Sequence, residues 1–395
     1  MSVTIMEEEV VIVGAGIGGL ATAVALKRVG VRALVLERAA ELRATGAALT
    51  LFPNAWLALD ALGVADKLTA LYAPIESEFV TDVKTKSTQQ VLYASSGRRG
   101  PRPVHRKALL QALADELPSD TIRFSSKLTS IESEVEDGNR ISVLGLEDGT
   151  IIKAKVVIGC DGVHSMVARR LKLNAPVHSG WCAVRGLSVY PEGHGRGCCT
   201  VQQYVDVSKR AGFVPLNDNE IYWFFVCKTP PKGKDIGSDQ ESIQREVIEN
   251  LAKDFPMSYH DVVQHSDLST LSWAPLLFRY PWDVVLGTLN TENITVVGDA
   301  MHPTTPDLGQ GGGMALEDAV VLGRHLENLT GPDGKLRLVD VSQALGKYVG
   351  ERRWRTAWII TASFLSGWIQ QDGSGWWMKL LRDVFYKTIL TKLSS

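Results

Sequence analysis

The chain opens on an unbroken apolar run, Val10-Val11-Ile12-Val13, that stops at Gly14. A short run of this kind suits a strand buried on both faces of a parallel sheet. From Gly18 to Val29 the pattern turns helical. Leu20, Val24 and Leu26 are apolar, Lys27 and Arg28 complement the helix dipole in the last turn, and Gly30 suits the position after the C-cap. Arg32–Glu37 reads as a second strand, so the N-terminal segment predicts a βαβ unit. Pro53-Asn54 begins a helix ended at Gly63, and Arg106–Leu117 forms another, stopped by Pro118. Ile141–Leu146 and Thr150–Ile158 are strand-like and flank Asp148-Gly149, a hairpin signal.

From about Trp181 to Trp282 helical periodicity is rare and the strands become aromatic. In Ile221–Val226 the alternation places Tyr222, Phe224 and Val226 on one face and Trp223 and Phe225 on the other. One face is expected to line a pocket, and the pattern leaves open which; that both faces are core is the other reading. The one clear helix of this region is expected at about Asp239–Asp254. Asn293–Val297 restores the buried-strand pattern, Gly311–Leu329 reads as a helix, and the chain from Trp354 on is helical and Trp-rich. The fold class expected is α/β. A Rossmann-like dinucleotide-binding domain (residues 1–75, 100–180 and 285–350) is interleaved with a sheet-rich domain (76–99 and 181–284), and a helical segment (351–395) follows.

Composition sharpens this picture in a few places. A length of 395 residues suits two cores rather than one. Forty-two basic against 44 acidic residues give a net charge of −2, so no bulk excess exists to grip nucleic acid. The five cysteines include no Cys-x-x-Cys, which suits a reduced intracellular protein. Glu7-Glu8-Glu9 argues against a secretory or transit leader, and no 18-residue uncharged apolar run is present, so a cytoplasmic monomer or homodimer is expected. Trp376–Leu393 is amphipathic, with Lys379, Arg382, Lys387 and Lys392 against Asp383. It is expected to pack on the first domain; contact with a membrane surface is the other reading.

Glycine accounts for 36 residues, and the informative ones cluster. Gly14-Ala15-Gly16-Ile17-Gly18-Gly19 fits G-x-G-x-x-G between a strand and a helix. Such a turn lets a pyrophosphate approach backbone N–H groups at the helix N-terminus. Glu37, 18 residues after Gly19, is placed to hold a ribose hydroxyl and would repel a 2′-phosphate. At this point either NAD or FAD fits. A second cluster, Gly298-Asp299 through Pro303, Pro306 and Gly309-Gln310-Gly311-Gly312-Gly313, lies between a buried strand and a long helix. Its glycines let backbone lie against a flat ring, and a helix N-terminus would stabilise a reduced flavin's negative charge by about 0.3–1 kcal/mol. A third, Gly159-Cys160-Asp161-Gly162, ends a strand.

Together these three motifs resemble the single-component, group A FAD-dependent aromatic hydroxylases. The wording around Gly-Gln-Gly-Gly-Gly-Met-Ala-Leu-Glu-Asp-Ala is similar to the plant branch near zeaxanthin epoxidase and salicylate-hydroxylase-like proteins. The resemblance covers about residues 8 to 355 and implies a para-hydroxybenzoate hydroxylase-like fold. It implies that Gly14, Gly16, Gly18 and Gly19 bind the FAD pyrophosphate, Glu37 the ribose, and that Arg38 lies beside the adenine. Arg106 would reach the phosphate and ribityl chain, Asp161 would serve FAD and NAD(P)H, and Asp299 would hold a ribityl hydroxyl. Gly309, Gly311, Gly312 and Gly313 would meet the flavin ring, with Gly46, Ala47 and Asn54 on a loop running past it.

The implied activity is a monooxygenase reaction. NADPH or NADH, a transient co-substrate, reduces FAD; O2 then forms a C4a-hydroperoxyflavin that hydroxylates or epoxidises a small electron-rich aromatic, indolic or olefinic metabolite. The flavin is the reagent, so no protein residue is assigned a catalytic role; Arg185, Tyr222, Phe224 and Pro306 are pocket candidates. His302 is expected to be structural. No metal-ligand spacing is present. The alternatives are a same-fold oxidase or reductase that never hydroxylates, and a flavin-binding protein without turnover.

Overall fold

The computed structural model describes residues 5–42, 47–93, 100–136, 138–229, 239–327, 329 and 336–371. Gly46 and the segment Trp376–Leu393 therefore lie outside the described residues.

Two seven-stranded sheets organise the molecule. In the first, strand Ile5–Val13 pairs in parallel with Leu34–Leu36 on one side and Ile151–Gly159 on the other. Ile151–Gly159 in turn pairs in parallel with Ile294–Val296 near its end and antiparallel with Asn139–Leu146 near its start. The first strand begins at Ile5, earlier than its apolar run, because its ladder with Ile151–Gly159 continues through the glutamates, of which Glu7 is exposed and Glu8 and Glu9 are half-buried. Glu9 is held by Lys155 Nζ at 2.5 Å and by the Leu336 N–H at 3.0 Å. Helix Ile17–Arg28 is buried from Ile17 to Leu26, on every side. It packs between this sheet and helix Gly311–Glu327, where Gly323 admits Ala25: a Cβ there would come within 2.9 Å of the Ala25 Cβ.

The second sheet takes Ser77–Asp82 and Thr88–Leu92 together with Val177–Val189, Thr200–Asp206, Lys209–Pro215, Glu220–Lys228 and Ser272–Phe278. One face is covered by Gln240–Glu246, the π-helical turn Val247–Leu251 and helix Met257–Gln264. The helix expected at 239–254 spans 240–251, its last turn π-helical, and Met257–Gln264 is a further, unexpected helix. Pro256 breaks the run, and Tyr259, Val262 and Val263 of the second helix are fully buried against the sheet. Boundaries differ as well. Strand Val177–Val189 starts before residue 181, and one helix, Leu338–Gln371, runs through the boundary expected at 350. Backbone hydrogen bonding carries both elements past the composition change. A two-stranded ribbon, Ala48–Leu51 with Arg102–His105, joins the layers. Among the described residues no helix is long and apolar enough to cross a membrane.

Candidate active site

The turn Gly14–Gly19 has geometry that larger residues cannot adopt. Gly14 has φ +103°, and a Cβ there would lie 2.6 Å from the Cys160 carbonyl oxygen. At Gly19 a Cβ would collide with the Gly14 carbonyl oxygen at 1.8 Å. At Gly16 a Cβ would meet nothing within 4 Å, so the turn faces open space there. Gly18 instead packs on Val297 and Ala315, tying the turn to the second glycine cluster. Glu37 stands at the end of the neighbouring strand. Its carboxylate accepts from the Ala15 N–H at 3.0 Å and the Ala39 N–H at 2.8 Å, which fixes it beside the turn. Arg38 is exposed.

Asp161 comes within reach of Gly14 through the adjacent strand end. One carboxylate oxygen accepts from the Met166 N–H at 2.6 Å, opening helix Met166–Arg170. The other, Oδ1, is buried without a partner. Burial raises its carboxyl above the usual aspartate value, against the hydrogen bonds from Ser165 and Met166.

Asp299 sits in the single turn Gly298–Ala300 at the end of strand Ile294–Val296, and it is exposed. Arg106 lies close enough to feel its charge and that of Arg185. The Arg106 backbone N–H donates to Ala47 at 2.9 Å, its Nε is buried without a partner, and burial lowers its pKa. Ala47 itself has φ +51°. Gly312 abuts Leu49 and Ile17, Gly313 abuts Asn54 and Ala55, and Gly309, at φ +63°, abuts Phe52. Gly311 packs loosely on Thr304. Asn54 donates to Glu317 at 2.6 Å and so holds its own helix to Gly311–Glu327.

The loop between these clusters is rigidly held. Arg279 donates to the Ala300 and Met301 carbonyls at 2.8 and 2.6 Å. Ser363 donates to the Thr305 carbonyl at 2.7 Å. Behind the loop, the fully buried His302 donates through Nε2 to Asp318 at 2.5 Å, and Asp318 also accepts from the Gly298 N–H at 2.9 Å and Arg352 Nε at 2.6 Å. Burial opposes ionisation of Asp318, but His302 and Arg352 hold its carboxyl well below the usual range. His302 thus braces the loop from behind.

On the second sheet the two faces of the aromatic strand pack differently. Trp223 and Phe225 belong to the core under the covering helices. Tyr222 and Phe224 lie on the opposite face, with Tyr222 against Ala47, Leu187 and Val214. Arg185, opposite Phe224 in the ladder, is on that face too and feels Tyr222. Pro306 starts the turn Pro306–Leu308, whose Asp307 forms a buried ion pair with Arg210 at 3.1 Å. Arg210 also lies over the Phe224 ring at 5.6 Å.

The sequence reading missed Gln310, Arg210, Asp307, Gln203 and Glu78. Gln310 stands inside the glycine motif, is 2% exposed and has Nε2 unpartnered. For the others no local signal existed, since burial of a polar or charged side chain depends on neighbours distant in the sequence. Among the described residues no cluster of His, Cys, Asp or Glu could hold a metal ion.

Residues 7–357 match the model of a family described as FAD binding domain. The chain is 40% identical to Monooxygenase 2 of Arabidopsis thaliana, with 98% of this chain and 97% of that one covered. It is 30% identical to an FAD-dependent urate hydroxylase of Mycolicibacterium vanbaalenii, covering 89% and 86%. The fold superposes on Klebsiella pneumoniae HpxO, solved with FAD and uric acid, at a TM-score of 0.79 and 24% identity, covering 98% and 96%.

Proposed function

The chain belongs to the FAD-binding-domain family, among the flavoprotein monooxygenases, and from that premise we propose that it inserts oxygen from O2 into a small electron-rich ring at the expense of NADH or NADPH. The observation that carries this reading is a set of unpartnered buried polar atoms on or beside the glycine motifs: one beside Gly14, one in the field of Asp299 and one within the last motif. Asp161 Oδ1, Arg106 Nε and Gln310 Nε2 come from three separate elements. Buried polar groups are normally paired, so such a set fits a polar cofactor of this size.

FAD, when bound, would supply hydride acceptance and the activation of O2. Gly14, Gly16, Gly18 and Gly19 would hold its pyrophosphate, and Glu37 and Arg38 its adenosine end. Arg106, Asp161 and Asp299 would hold the phosphates and ribityl chain, and Gly309, Gly311, Gly312 and Gly313 the ring. The N–H groups that open helix Gly311–Glu327 would favour negative charge on the ring. The apolar face of Tyr222 and Phe224, closed by the Arg210–Asp307 pair, would keep water from the reacting atoms. Arg185 and Pro306 would border the substrate. A relative named for urate hydroxylation supports an aromatic substrate.

The test is a titration of the purified chain with FAD, followed by addition of NADH or NADPH. One FAD bound per chain, with nicotinamide oxidation stimulated by an electron-rich aromatic, is the expected result. A chain that acquires no visible flavin absorbance overturns the cofactor assignment. Nicotinamide oxidation that yields only hydrogen peroxide with every aromatic would mark an oxidase instead.

A further inference from the structure

The face of the second sheet that carries Tyr222 and Phe224 extends further than these two residues. Strand pairing sets Arg185 opposite Phe224, Phe224 opposite Gly212, Gly212 opposite Gln203, and Gln203 opposite Val80. Side chains directly opposite in a ladder point to the same face. In the neighbouring row Tyr222 is followed by Val214, and Val201 by Glu78. Gln203 and Glu78 are therefore diagonal neighbours, about 7–8 Å apart at the backbone and within reach of long side chains. Gly212 lowers the floor between Gln203 and Phe224: a Cβ there would press on the Phe224 ring at 2.9 Å.

Two polar atoms on this face are buried without hydrogen bonds, Gln203 Oε1 and Glu78 Oε1. The other Glu78 oxygen, Oε2, accepts from the Tyr93 hydroxyl at 2.5 Å. No ion pair reaches Glu78 among the described residues, and burial raises its pKa against the opposing pull of Tyr93 and Arg210. Glu78 is 2% exposed, and a carboxyl so buried with one neutral hydrogen bond and no ion pair favours its neutral form; with Oε2 accepting from Tyr93, the O–H falls at Oε1. Next to it the Gln203 carbonyl presents an acceptor. A donor beside an acceptor is complementary to a ring edge that offers an acceptor beside a donor.

We infer that Glu78 and Gln203 bind the polar edge of the substrate, and that this edge carries a carbonyl next to an N–H, as in a lactam or ureide fused to an electron-rich ring. This rests on the monooxygenase reading above and narrows its substrate class. A site built to hydrogen-bond rejects an analogue that lacks the group, because its own buried atoms are then left unpaired. A plain olefin would leave both atoms unpaired, and an unsubstituted indole, with an N–H but no carbonyl, would leave the Glu78 O–H unpaired.

The experiment uses the FAD-loaded full chain and three matched pairs: 2-quinolone and N-methyl-2-quinolone, oxindole and N-methyloxindole, urate and its tetramethyl analogue. Flavin content is measured first; a chain that holds no FAD refutes the underlying reading, not the edge assignment. Dissociation constants are then read from the perturbation of the flavin absorbance band. At least one lactam is expected to bind about tenfold or more tightly than its N-methyl partner. Gln203→Leu should erase that ratio with flavin content retained. Glu78→Gln, whose amide can donate to the carbonyl, should keep most of the affinity for the lactam, while Glu78→Leu should weaken both members of a pair. No preference for the lactam in any of the three pairs, absence of binding included, overturns the inference. So does a ratio that survives Gln203→Leu.

Discussion

Asp299 and Arg106 come from elements far apart in the chain yet face one space, Asp299 open to solvent and Arg106 buried with its Nε unpartnered. If Asp299 accepts a ribityl hydroxyl, Asp299→Ala removes a hydrogen bond to a charged group, which is worth about 1.5–3 kcal/mol. The FAD dissociation constant should rise about 10- to 100-fold, measured by fluorescence titration; an unchanged constant would remove Asp299 from the site. Asp318 works differently, by supporting the loop. Its depressed pKa means that its contribution to stability is complete above the ordinary aspartate pKa of 3.8 and is lost as pH falls through the lowered value. Asp318→Asn removes the buried charge facing His302 and Arg352, leaving Arg352 its pair with Glu317 at 2.6 Å, and should cost about 1–3 kcal/mol at neutral pH. Thermal melts at pH 7 would record it, and the difference from wild type should shrink toward low pH. Single residues were unevenly legible. The glycines and Asp299 announce themselves by motif, whereas Glu78 and Gln203 look like ordinary strand residues until the ladder puts them beside Phe224.

Among elements, the glycine turn and the aromatic strand carry the account. Gly19→Ala would drive a Cβ into the Gly14 carbonyl, so the turn must open. Flavin retention on a desalting column should be lost in this variant while the second sheet, read by near-ultraviolet circular dichroism of Trp223, persists. The aromatic strand makes a paired prediction. Phe225 is fully buried under the covering helices, so Phe225→Ala should cost about 3–5 kcal/mol in stability. Phe224→Ala should instead weaken binding of aromatic ligands to the loaded chain with a smaller loss of stability; equal effects on both properties would mean that the two faces do not divide these roles. Alternation in the sequence separated the two sets of side chains but could not say which set meets the cofactor domain. That assignment came from Pro256 and the helix after it, Met257–Gln264, whose Tyr259 fills the Trp223 side. The sequence pattern concealed this helix because only three of its residues are buried.

At the scale of the whole molecule, the glycine turn lies at one sheet's strand ends and the proposed substrate wall on the other sheet. The loop Gly298–Gly313 links the two. Its Asp307 pairs with Arg210 of the second sheet, and Gly367 of the long C-terminal helix packs on the Asp307 carboxylate, where a Cβ would stand 2.7 Å from Oδ2. This coupling gives a reason for the interleaved chain: under the proposed function, one loop would serve flavin-side backbone and substrate-side charge together. The α/β class and the three glycine sites could be read from local pattern, because each needs only a strand, a turn and a helix in succession. The loop's partners could not, because they depend on contacts between residues about a hundred positions apart. The central claim is oxygen insertion, and isotopically labelled O2 tests it most directly. With the FAD-loaded chain, reduced nicotinamide and an aromatic that stimulates its oxidation, mass spectrometry should find one labelled oxygen atom in the product. Product carrying only oxygen from water, or full nicotinamide oxidation with the aromatic unchanged, would contradict the account.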